Sequence, residues 1–290
     1  MNGSANDQEP NEESALHLDE VWRRRPLPGF NVLVRARHGL FVTNRNDVYV
    51  GRSLIDYGEY SEPEWALLSR LCGPGDVVVE VGANIGALTV PLARAVAPAG
   101  RVVAVEFQPV IFQMLCANLA LNGLLNVDAV NCAAGRQESK VVMPHIDYGI
   151  ENNFGGVPLL SAAAGTPVSV RPLNELCHHD RLRLVKIDVE GMEAEVIEGG
   201  RDLIRSFRPV LYVENDRPGN SKALIELIRG LDYRLWWHPV PLYNPGNHFG
   251  NSRNKFGRAA SINMLCLPAE ARGETGDLHP VDDSDFHPLA

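Results

Sequence analysis

Apolar residues in this chain come in short unbroken blocks, and the blocks alternate with longer stretches of mixed polarity. The clearest are Asp76-Val77-Val78-Val79-Glu80-Val81, Arg101–Glu106, Asn126–Cys132, Leu182–Asp188 and Pro209–Glu214. Short Val-rich runs without polar alternation are how parallel strands buried on both faces read. The segments between them, 85–97, 109–122, 192–207 and 219–230, read as helices; in 192–207, Val196 and Leu203 stand seven apart, as do Ile197 and Ile204, on one face. Tyr233–His238 and Ala260–Leu267 read as two last strands. Upstream, Asn31–Val34 and Asp47–Val50 suggest short strands, and 61–72 a helix with Ser61 as cap and Pro63 in its first turn. The alternation pauses over 133–172, with a small-residue loop from Gly155 to Gly165, and 171–179 reads as a short helix. Strand and helix alternating in this way predict an α/β fold, a doubly wound and mostly parallel seven-stranded sheet of Rossmann-like type, with N-terminal short strands and an insertion before the fourth strand. The division expected is a flexible acidic leader over 1–25, N-terminal strands and helix over 26–75, the sheet domain over 76–268 and an acidic C-terminal tail over 269–290.

Charge changes the picture at the ends. The formal net charge is −9 over 290 residues. Residues 1–20 hold six acids and no Lys or Arg, and 270–290 hold six acids against Arg272, so the remainder is close to neutral. Both ends therefore read as solvated and disordered. The body offers no basic field for nucleic acid, and Arg23-Arg24-Arg25 is too short to make one. No apolar run approaches the roughly 18 residues that span a bilayer, and no secretory signal is visible, so the expected location is cytoplasmic. Cys72, Cys116, Cys132, Cys177 and Cys266 are odd in number and lack a Cys-x-x-Cys pair, which argues against a disulfide framework or zinc knuckle. Cys116 and Cys132 read as small core residues.

The chemistry concentrates where the first strand ends. Glu80-Val81-Gly82-Ala83-Asn84-Ile85-Gly86 leaves a buried strand and opens a helix. Free N–H groups and the positive end of the helix dipole converge there, and glycine lets a ligand approach the backbone. A nicotinamide site would show G-x-G-x-x-G and receive a pyrophosphate. Here an acid, Glu80, sits on the strand itself, where it repels phosphate but accepts hydrogen bonds from an ammonium group. A second acid, Glu106, ends the next strand, placed to take both hydroxyls of a ribose. Two acids around a glycine turn suit a cationic adenosyl ligand without phosphates, namely S-adenosyl-L-methionine, bound by Glu80, Gly82, Ala83, Asn84, Gly86 and Glu106. Phe107 either covers the adenine or fills the core; Ala133, after the third strand, leaves room for the base.

The pair Glu80–Gly86 and Lys186-Ile187-Asp188-Val189-Glu190-Gly191-Met192-Glu193 resembles the FkbM family of S-adenosylmethionine-dependent methyltransferases. The resemblance runs from about residue 57 to 268 and includes Glu62 before the first helix, Pro74-Gly75-Asp76, and Val168–Leu176. It implies a class I methyltransferase fold, Glu62 among the donor-binding residues, and O-methylation of a hydroxyl on a sugar, glycan or polyketide-like metabolite.

Asp188, Glu190 and Glu193 crowd the turn after the fourth strand. Acids at a helix N-terminus favour its dipole, which accounts for Glu190 and Glu193 in structural terms. Asp188 ends the strand and faces the crevice, so it is expected to touch the donor and, with Glu190, to orient the hydroxyl or take its proton. A divalent metal bound by Asp188 and Glu190, with Glu214, is a second way to acidify the hydroxyl, and the spacing leaves it open. Lys186 lies two residues before Asp188 on the same side of the strand and is expected to pair with an acid. Glu151–Gly156, Trp236-Trp237-His238 and Tyr243–Gly250 are candidate acceptor segments, with His248 as a further candidate base. A nucleotide-sugar oxidoreductase and a non-catalytic binding module are the alternatives; self-association stays open.

Overall fold

The computed structural model describes residues 23–157, 162–272 and 275–289. The expected leader lies outside the described residues except for its last three positions. Strands β1 (Arg24–Pro26), β2 (Asn31–Ala36) and β3 (Gly39–Asn44) form a small antiparallel sheet, followed by helices α1 (Val50–Tyr57) and α2 (Glu62–Leu71). The central sheet contains β4 (Val77–Val81), β5 (Arg101–Val105), β6 (Val127–Val130), β10 (Leu184–Ile187), β11 (Val210–Glu214), β12 (Tyr233–Pro241), β13 (Ala260–Pro268) and β14 (His279–Pro280), in the order β14-β12-β13-β11-β10-β4-β5-β6. The pairs from β6 to β11 are parallel, and β13 runs antiparallel between β11 and β12. This is the expected mostly parallel α/β sheet, with the seven expected strands and one more.

The eighth strand is a correction. Instead of a solvated tail, His279–Pro280 pairs with Trp236–Trp237 at the sheet edge, Val281 and His287 are buried, and His287 Nε2 lies 2.7 Å from the Asn215 carbonyl. The acids Asp282, Asp283 and Asp285 face water while Val281 and His287, on either side of them, pack. Charge counting missed this because the apolar and aromatic positions are few but suitably spaced.

Every residue of β4 and β10 is buried. Val79, Val81, Val185 and Ile187 pack with Val196, Ile197 and Ile204 on one face. Val78 and Leu184 pack with Leu92, Val96 and Tyr212 on the other. Helices α3 (Thr89–Val96), α4 (Pro109–Leu121), α5 (Glu193–Gly199), α6 (Arg201–Phe207) and α7 (Pro218–Arg229) connect the strands. The stretch read as one helix over 192–207 is therefore two, meeting at Gly200, where an added Cβ would stand 2.6 Å from Leu173 Cδ2. The insertion forms a sheet of β7 (Ala133–Gly135), β8 (Ser139–Met143) and β9 (Thr166–Pro172), and 171–179 holds only the short 3₁₀ turn Leu173–Glu175.

Two more expectations fail locally. Asp47–Val50 is no strand: Asp47 accepts from the N–H groups of Tyr49 (3.1 Å) and Gly51 (3.0 Å) and so opens α1, the side-chain-to-backbone bonding that lets Asp start helices. Ser61 makes no backbone cap; in a left-handed conformation it donates instead to Glu64 Oε2 at 2.8 Å. Cys116 lies on the exposed side of α4, whereas Cys132 is buried. Among the described residues no helix is long and apolar enough to cross a membrane.

Candidate active site

The carboxyl ends of β4, β5, β10 and β11 open onto one cavity of about 430 Å³. That is within the usual size of a small-molecule site, and strand ends at the switch point of an open sheet are the usual place for one.

One end of the cavity is the glycine turn. The N–H groups of Gly82 and Ala83 both donate to the Val105 carbonyl at 2.9 Å, which ties the turn to β5. Gly82 and Gly86 each have φ +84°, and Asn84 has φ +50°. A Cβ on Gly82 would stand 1.8 Å from the Asp188 carbonyl oxygen, so the first and fourth strand ends touch through a position that only glycine can fill. Gly86 does not line the cavity; its missing side chain admits Leu115 Cδ1 from α4, 2.7 Å from where a Cβ would be.

Glu80 and Glu106 both line the cavity and both are almost fully buried. Glu80 Oε2 accepts from Thr89 Oγ1 at 2.6 Å. Glu106 accepts from the N–H groups of Asn84 (3.0 Å) and Gln108 (2.8 Å), one on each oxygen. Burial pushes each carboxyl up to about 7; Lys186 and Thr89 pull Glu80 back, and backbone N–H groups pull Glu106 back. Phe107 lines the cavity and, partly buried, packs beside Ala133, Met143, Val168 and Val170. Ala133, buried on β7, lines the same wall with Cys132 and Ala134.

The other end is acidic. Asp188, Glu190, Glu214 and Asp216 line it, and one carboxylate oxygen from each of the first three lies within 4.8 Å of the others. Lys186 is the counterweight. Register places it beside Glu80 on β4 and Tyr212 on β11, and its ammonium stands 2.9 Å from Asp188 Oδ2 and 3.6 Å from Glu64 Oε1. Burial pulls the Lys186 ammonium down, but Asp188, Glu64 and Glu80 more than reverse this and hold it charged. Burial pushes Glu190 up to about 7, reinforced by Asp188 and Asp216 and opposed by Arg217, which donates to Glu190 Oε2 at 2.7 Å. Burial and the surrounding acids push Glu214 up as well. Glu193 behaves differently from its neighbours: its Oε1 accepts from the Gly191 N–H at 2.9 Å and so fastens the turn that leads into α5, without capping the helix itself.

Besides Gly86, two expected site residues stand outside the cavity. Glu62 does not line the cavity; it faces His38 Nε2 at 2.6 Å and Arg37 at 3.7 Å. Helical phase explains this, since two residues along a helix turn by roughly 200°: Glu64 reaches Lys186, and Tyr60, just before the helix, lines the cavity. His248 is also outside. Its N–H donates to Glu59 Oε2 at 2.8 Å, in a loop fastened to α1 by the bond from Phe249 N–H to the Tyr57 carbonyl.

Of the three acceptor segments, Glu151–Gly156 contributes Asn153 and Gly155 to the wall, while Trp237 is in the core and His238 meets the Tyr212 hydroxyl at 2.8 Å. Pattern reading missed Tyr49, Leu242, Arg258, Ser261 and Leu289, which complete the rim. Nothing local marks them: they come from loops and strand ends far apart in the chain.

A family model described as methyltransferase FkbM domain matches residues 80–235, which holds the glycine turn, Glu106 and the acidic cluster. Methyltransferase 1 of Beauveria bassiana is 24% identical over 143 residues, covering 42% of this chain and 57% of that protein. Among solved structures, methyltransferase FkbM from Methylobacillus flagellatus shares 20% identity with a TM-score of 0.44, over 66% of this chain and 43% of that one. Aeropyrum pernix fibrillarin, solved with S-adenosyl-L-methionine, shares 15% with a TM-score of 0.42, over 83% and 97%. The chain thus spans little more than half the length of its curated relative. With the family model covering more than half of its residues, the chain belongs to the FkbM methyltransferase family.

Proposed function

We propose that this chain transfers the methyl group of S-adenosylmethionine to a hydroxyl oxygen of a sugar, glycan or polyketide-like metabolite, with residues 76–268 carrying the donor turn and the acidic cluster and the segments on either side completing the cavity wall. The observation that carries this reading is the single cavity joining the Glu80–Gly86 turn and Glu106 to the acidic cluster around Asp188. The donor lies along the turn, its ammonium toward Glu80, its ribose on Glu106, and its adenine between Phe107 and Ala133. Its methyl group then points at Asp188. The acceptor enters past Tyr49, Asn153, Arg258 and Ser261, a rim of aromatic and hydrogen-bonding groups suited to a polyol.

The reaction is one in-line displacement. The acceptor oxygen attacks the methyl carbon, the bond from carbon to sulfur breaks, and its electron pair stays on sulfur. S-adenosylhomocysteine leaves as a neutral sulfide. The hydroxyl proton passes to the Asp188 carboxylate as the ether forms. Incubating the full chain with cell extract and a deuterated methyl donor tests this: mass spectrometry should find the label on oxygen of a hydroxylated metabolite. Label on nitrogen or carbon alone overturns the acceptor class, and no label anywhere overturns the enzyme.

Binding should depend on pH. Burial holds the Glu80 and Glu106 carboxyls up at about 7, and an ammonium and a ribose both favour the ionised carboxylate, so the ligand lowers their pKa. Affinity for S-adenosylhomocysteine is therefore full above pH 7 and falls as the pH drops below it, and binding near pH 7 releases protons. Calorimetry in buffers of different ionisation enthalpy measures that release; proton uptake would contradict the assignment.

A further inference from the structure

We propose that Asp188, Glu190 and Glu214 hold one divalent cation at the acceptor end of the cavity. Two observations carry this. The first is geometric: one oxygen from each side chain lies within 4.8 Å of the other two, and oxygens sharing a hard cation at its usual bond lengths stand about 3–5 Å apart. The second is that Glu214 is an orphan. It is only 7% exposed, it lines the cavity, and its Oε2 has no hydrogen-bond partner. Among the described residues no Lys, Arg or His forms an ion pair with it. A buried carboxylate aimed into a cluster of its own sign, with no donor of its own, is a group arranged for a positive charge that comes from outside.

The two neighbouring cations do not meet that need. Lys186 holds Asp188 Oδ2 and leans on Glu64; Arg217 holds Glu190 Oε2. Each engages one oxygen of its partner and leaves the second carboxylate oxygen out of the ion pair. Charge leaves room for an ion even when the donor is bound. Glu80, Glu106, Asp188, Glu190, Glu214 and Asp216 face Lys186 and Arg258 across the cavity, and a sulfonium donor contributes only about one net positive charge. Three carboxylates and no nitrogen or sulfur ligand select Mg²⁺, Mn²⁺ or Ca²⁺ over softer metals. Positions they do not fill are open to water and to an acceptor hydroxyl, which the ion would acidify. That role rests on the methyl-transfer reading; the site itself does not.

The test is a titration of the chelator-treated full chain with Mn²⁺, reading free ion by electron paramagnetic resonance, with S-adenosylhomocysteine binding measured by calorimetry on the same samples. The expected result is one Mn²⁺ per chain, and about a tenfold or greater loss of Mn²⁺ affinity in Glu214→Gln and in Glu190→Gln, with S-adenosylhomocysteine affinity changed by less than about threefold. Glu190 is partly exposed, so its variant carries the test if Glu214→Gln fails to fold. Absence of binding at millimolar Mn²⁺, or binding that survives both substitutions unchanged because it belongs to the acidic ends, overturns the site. Ligand binding without Mn²⁺ binding overturns the ion alone; failure of both overturns the donor reading as well.

Discussion

Gly82→Ala should abolish detectable binding of S-adenosylhomocysteine, a loss of at least about 100-fold, and should destabilise the fold. The new methyl group has nowhere to go. Its carbon would sit 1.8 Å from the carbonyl oxygen of Asp188, a backbone atom that cannot rotate aside. The residue is also held at φ +84°. The left-handed conformation costs about 1–2 kcal/mol for a residue with a Cβ, and forcing an atom into a packed site costs about 1–3 kcal/mol, so urea denaturation should register roughly 2–5 kcal/mol. Relief comes only if the turn after β4 moves away from the end of β10, and that movement separates the glycine turn, the proposed donor site, from Asp188. Gly219→Ala is the matched control, since open space surrounds its Cβ position; it should leave binding and stability unchanged. Binding retained in Gly82→Ala would mean that the turn is not the floor of the donor site.

Asp188→Asn should lower methyl transfer by about 10²–10⁴-fold, the usual contribution of a positioned general base, while leaving S-adenosylhomocysteine affinity within a few-fold. The amide preserves the shape of the carboxylate and still accepts a hydrogen bond from Lys186, which keeps Glu64 as a second partner. What it loses is the negative charge proposed to receive the acceptor proton and, under the cation proposal, one charged ligand of the ion. The rate of deuterium-label incorporation, compared with ligand affinity by calorimetry, separates the two effects. A variant within about tenfold of the parent rate would remove Asp188 from proton transfer.

Much of the scaffold was readable from the chain because its strands are buried on both faces. Val77–Val81 and Leu184–Ile187 have no solvent side, so their apolar runs are unbroken and their ends are sharp. The strained turn was readable too: Gly82, Asn84 and Gly86, the residues with φ above zero, are types that tolerate that conformation. The acceptor half was not. Arg258, Ser261, Leu242 and Leu289 meet across the cavity because strands β12 and β13 and the C-terminal segment fold back to the same edge, and no local pattern encodes that meeting. Glu62 went astray by helical phase, with Glu64 and Tyr60 taking the inward places. His248 looked reactive as a residue type, but its loop is spent on fastening to α1. The C-terminal segment was misread because its acids dominate the composition while Val281 and His287 do the packing.

The decisive measurement is a calorimetric titration of the full chain with S-adenosylhomocysteine. One site per chain is expected, with affinity in the micromolar range and proton release near pH 7. Folded protein that gives no binding heat with millimolar ligand would contradict it.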